Sequence, residues 1–145
     1  MKLLLSIVLI VAGSYANGQI NFRTGDTNLD AELNVSNTEA ERDLPLFKKN
    51  LTLEFGVTAP KIESLLKIMQ PAEALLAIRI SVVAKKSLDL VMQIYKVDKD
   101  KGWGYIAKQL GIKPGSPEFH ALKGKKKTVA KPKGSNGNGN AKGKK

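Results

Sequence analysis

The sequence predicts an all-α protein, a compact bundle of five to six short helices followed by a disordered basic tail. Three observations carry this expectation. Apolar residues between Leu44 and Leu122 recur at intervals of three and four, the period of one face of a helix. The recurring stretches are bounded by helix punctuation, with Asp or Ser before, proline in the first turn or glycine after. No stretch of useful length alternates with the period of two that a half-buried strand requires.

Residues 1–18 read as a signal peptide. Lys2 supplies a positive start, Leu3 to Ala12 is apolar apart from Ser6, and small residues follow at Ser14, Ala16 and Gly18. The apolar run is about half of the roughly 20 residues that a spanning helix needs. Cleavage after Gly18 would leave Gln19 first in a periplasmic or extracellular protein. Residues 19–42 are polar, rich in Asn and Asp, and are expected to be mostly irregular, with at most a short element around Leu29 to Val35.

The helical domain is expected over residues 43–123. Asp43 caps the first helix, Pro45 lies in its first turn, and Leu44, Phe47, Leu51 and Phe55 repeat along it before Gly56. The second begins near Thr58, and Ile62, Leu65, Leu66 and Met69 form one apolar stripe. The third, from about Ala72 to Lys85, is apolar nearly all round, which places it at the centre of the bundle. Ser87 caps the fourth, whose inner face is Leu88, Val91, Met92 and Tyr95. Trp103, Ile106, Ala107 and Leu110 mark the fifth, closed by Gly111. After the turn at Lys113–Gly115, Ser116 caps a last short helix that returns Phe119 and Leu122 to the core.

The formal charge of +11 is unevenly placed. Residues 19–122 hold 14 basic and 13 acidic groups, a balance of +1. The remaining stretch carries nine lysines and no acid: Lys123, Lys125, Lys126, Lys127, Lys131, Lys133, Lys142, Lys144 and Lys145. Residues 124–145 are dominated by Lys, Gly and Asn, a composition that cannot offset its own ordering entropy and is expected to be disordered. These nine lysines are the candidate polyanion-binding residues. They would act through counterion release, with little preference for sequence. The partners they suit are an anionic envelope surface, a polysaccharide or released nucleic acid.

Constellations for chemistry are absent from the sequence. Cysteine is missing, so disulfides, thiol nucleophiles and thiolate metal sites are excluded. His120 is the only histidine, which leaves no pair for a metal. Asp26, Asn28 and Asp30 have the opening spacing of a calcium loop, and Asp98 and Asp100 precede Gly102. Neither stretch supplies the Gly at position 6 or the Glu at position 12 that such a loop needs. No catalytic, metal or cofactor residue is therefore assigned. Residues 102–119 faintly suggest a helix-turn-helix, but the segment after the turn opens with Pro117, Glu118 and Phe119, an acidic and apolar face where donors to bases are wanted. Arg79, amid apolar neighbours, is expected to reach the bundle edge or to pair with a carboxylate.

The stretch KGWGYIAKQLGIKPGSPEFHALK, Lys101 to Lys123, resembles the closing segment of a group of small secreted bacterial proteins of unknown function. The resemblance extends to DAELN at Asp30–Asn34, to LFKKNLTLEFGVTAPKIESLL at Leu46–Leu66 and to the pair Pro71-Ala72. It implies export and a helical domain, and it implies no activity or site residue. Residues beyond Lys123 lie outside it. The expected function is that of an exported, non-enzymatic helical protein that binds or scaffolds at the envelope. A small-ligand-binding or hydrolytic periplasmic domain, with a pocket near Trp103, Tyr105 and His120, is the alternative. Nucleic-acid binding is the second.

Overall fold

Apolar stripes at helical spacing can be buried only by packing helix on helix, and the computed structural model does this over residues 19–124, the ones it describes. The expected signal peptide (residues 1–18) and the lysines from Lys125 onward lie outside the described residues. Seven α-helices follow in order: α1 Thr27–Arg42, α2 Leu44–Phe55, α3 Ala59–Leu66, α4 Pro71–Ala84, α5 Leu88–Asp98, α6 Trp103–Gln109 and α7 Pro117–His120. A single 3₁₀ turn, Lys99–Lys101, joins α5 to α6. Among the described residues there is no strand, and no helix is long and apolar enough to cross a membrane.

Six helices stand where the sequence predicts them, and their punctuation works as expected. The Asp43 carboxylate accepts the Leu46 N–H, Ser87 Oγ that of Leu90, and Ser116 Oγ that of Phe119. Gly56 ends α2 in the left-handed region at φ 68°. The central helix is α4, packed against α1, α3 and α5. Seven of its residues, Ala72, Ala74 to Ile78 and Ile80, are buried. Fully burying an aliphatic side chain of Leu or Ile size stabilises by about 1.5–3 kcal/mol, so this one helix anchors much of the core.

The expectation for residues 19–42 is corrected. Thr27–Arg42 is a sixteen-residue helix rather than irregular chain. Its buried face is Leu29, Leu33, Ser36, Asn37 and Ala40, a helical spacing in which two members are polar. Asn37 lies inside because its Oδ1 accepts the Ala72 N–H at 2.7 Å. That N–H belongs to the first turn of α4 and has no partner within its own helix. Asp26 caps α1 by accepting the Asn28 and Leu29 N–H groups.

Residues 19–26 form an ordered strap. Phe22 is buried, and with Arg23 in the left-handed region (φ 50°) both residues offer carbonyls to α6. The Phe22 carbonyl accepts the Trp103 N–H at 3.0 Å, and the Arg23 carbonyl accepts that of Gly104 at 2.9 Å. Helix α6 begins after Gly102 and has no side-chain cap; the strap supplies the missing acceptors. Asn34 fixes the other end by bonding both the N–H and the carbonyl of Ile20.

Candidate functional site

The C-terminal closing segment returns to α1, and this junction borders a concave surface of the fold. Leu122 is buried, its carbonyl accepts Arg79 Nη1 at 3.1 Å, and Arg79 Nη1 also reaches Glu32 Oε1 at 2.7 Å. Arg79 thus pairs with a carboxylate at the bundle edge, as one expectation for it held. The Gly124 N–H then donates to both Glu32 oxygens, at 2.9 and 3.1 Å. Lys123 pairs with Asp26, and this ammonium, helped by the Leu29 N–H, holds the Asp26 carboxyl below its ordinary value of 3.8. Two charged anchors therefore join residues near the start of the domain to residues at its end.

Lys123 is consequently engaged within the fold. The other candidate polyanion-binding lysines, Lys125, Lys126, Lys127, Lys131, Lys133, Lys142, Lys144 and Lys145, lie outside the described residues.

Beside the junction, flanks of α1, α2 and α4 form an open groove of about 1090 Å³. Its apolar surface comes from Val35 on α1, Phe47, Leu51 and Phe55 on α2, and Val82 and Val83 on α4. Val35 and Val82 are each 57% exposed. The groove's acids are Glu32, tied as above, and Glu39 and Glu54, both exposed and with no ion pair among the described residues. Lys123 and Gly124 line its rim.

A second polar cluster lies inside the bundle. Glu73 on α4 accepts Trp103 Nε1 at 3.1 Å, Tyr95 Oη–H at 3.0 Å and the Gln70 N–H at 2.9 Å. The Tyr95 and Trp103 rings stack with centroids 5.1 Å apart. Burial, reinforced by the Glu73 charge, pushes the Tyr95 phenol well above its ordinary value. One carboxylate receives donors from three elements, so the cluster ties α4, α5 and α6 together and presents no free nucleophile or base.

Trp103, Tyr105 and His120, the residues expected to flank a pocket in the ligand-binding alternative, differ in burial. Trp103 is buried against Tyr95 and Glu73, whereas Tyr105 and His120 are exposed. The reason is the helical period: Tyr105, two residues beyond Trp103, faces away from the core-facing Trp103–Ile106 stripe. The acids of the calcium-like stretches have other uses. Asp30 accepts Thr24 Oγ1 at 2.7 Å, Asp26 caps α1, and Asp98 pairs with Lys101 at 2.9 Å. The helix after the Lys113–Gly115 turn spans only Pro117–His120, a single turn that is too short to lie along a major groove.

No family model, curated protein or solved structure matches the chain.

Proposed function

We propose that this chain is an exported, non-enzymatic helical module that associates with the cell envelope, its lysine-rich segment adhering to anionic surfaces. The observation that carries the reading is the segregation of charge. Residues 19–122 are balanced to within +1, whereas the lysines from Lys123 onward stand without a single acid among them. A balanced domain contributes little net electrostatic attraction, while a run of unopposed lysines releases counterions from any dense polyanion it meets. With Lys123 held by Asp26, eight lysines remain for this work. Export is supported by the composition of residues 1–18 and by the resemblance of residues 30–123 to small secreted proteins.

The test is retention on heparin resin and on vesicles containing anionic lipid. Full chain in which the eight lysines from Lys125 to Lys145 are replaced by Gln should lose salt-sensitive retention, with its thermal unfolding unchanged. Retention equal to that of the parent chain would overturn the reading. Released nucleic acid is the polyanion of choice only if DNA competes the chain off heparin more strongly than an equally charged polysaccharide does.

A further inference from the structure

We propose that the groove between α1, α2 and α4 is the docking site of this chain's own residues 125–133, Lys-Lys-Lys-Thr-Val-Ala-Lys-Pro-Lys. The first argument is where the described chain stops. Gly124 is held by its N–H on Glu32, and both residues line the groove, so the described chain ends beside it. The second is reach. Nine extended residues span up to about 30 Å, whereas Glu32 and Glu39, two turns apart on α1, are separated by about 10 Å along the helix.

The third argument is complementarity. The groove offers an apolar surface with half-exposed Val35 and Val82, flanked by the carboxylates of Glu39 and Glu54, which form no ion pair among the described residues. Residues 125–133 offer Val129 and Ala130 between two groups of lysines, five in all. A tethered segment acts at an effective concentration of the order of millimolar, so even weak pairing suffices to keep the groove filled. Partially screened surface pairs are individually weak, and the docked state is accordingly sensitive to salt. This inference is independent of the polyanion reading. If both hold, docking withdraws five lysines from external polyanions until a stronger anion or higher salt releases them.

The test is tryptic cleavage of the full chain at low ionic strength, comparing the bond after Lys127 with that after Lys142. Docking protects the first, and cleavage there is expected to be slower by roughly tenfold, in proportion to the undocked population. The Glu39→Gln/Glu54→Gln double variant, at two exposed positions outside every ion pair of the described fold, should bring the two rates together and leave heparin retention equal or stronger. Equal rates in the parent chain overturn the proposal, as does protection that persists unchanged in the double variant. Protection that grows with protein concentration also overturns it, because the groove is then filled by a second copy. None of these outcomes touches the lysine-to-glutamine test on heparin, so the two ideas fail separately.

Discussion

Replacing Gly104 by Ala sets two opposing effects against each other, and the geometry says which wins. Alanine is the better helix former by up to about 1 kcal/mol, and Gly104 is the second residue of α6. A Cβ at this position, however, would stand 2.7 Å from the Thr24 carbonyl oxygen and 3.1 Å from that of Arg23. Ordinary contact begins near 3.4 Å, so the strap would have to retreat by several tenths of an ångström. Thr24 resists such a shift, being buried and bonded through Oγ1 to Asp30 at 2.7 Å and to the Asp26 carbonyl at 3.1 Å. Retreat would stretch the bonds from Trp103 N–H to Phe22 and from Gly104 N–H to Arg23, each worth about 0.5–1.5 kcal/mol. Overpacking of this kind costs typically about 1–3 kcal/mol. Set against the propensity gain, the net loss is about 2 kcal/mol. Urea titration followed by circular dichroism reads it directly, as a lowered midpoint at constant slope. A Gly104→Ala chain as stable as the parent, or more so, would refute the reasoning and show that the strap does not bear on α6.

Two further predictions concern charge. Glu73→Ala removes the acceptor shared by Trp103 Nε1 and Tyr95 Oη–H, and leaving buried donors unpaired should cost about 2–4 kcal/mol; a chemical-denaturation midpoint unchanged within error would contradict this. Asp26 has a lowered folded-state value, so its contribution to stability is complete above its ordinary 3.8 and is lost as pH falls through the lower value. Asp26→Asn should therefore flatten the acid limb of the stability profile while leaving the slope near neutrality unaltered, measured as unfolding free energy against pH.

The legible part of the fold is the part in which hydrophobicity and burial coincide. Ile62, Leu65 and Met69, or Trp103, Ile106 and Leu110, announce their faces because every inward position is apolar. Helix α1 escapes that test. Its inward positions include Ser36 and Asn37, and what makes Asn37 welcome inside is the Ala72 N–H, a group contributed by chain thirty-five residues away. Val35, the residue a hydrophobicity count would turn inward, is exposed instead. Phe22 was illegible for a related reason: a lone aromatic in a polar segment has no period, and the strap is held by backbone groups that carry no residue-type signal. The groove was equally hidden. It is made from the flanks of three separate stripes, and only their relative placement creates a concavity. By contrast, the charge step at Lys123 needed no structure to be seen, though the capture of that lysine by Asp26 did.

The stitch between Glu32 and Gly124 spans 92 positions of the chain. Closing a loop of that length costs about 4 kcal/mol of chain entropy, which only the assembled core can offset. Because ribosomes make the N-terminus first, the Asp26 and Glu32 carboxylates are synthesised long before the groups that neutralise and bond them. Until residue 124 is available, the nascent domain lacks its final latch, the bond from the Gly124 N–H to Glu32. Such an architecture favours a late, all-or-none snap shut over stepwise maturation.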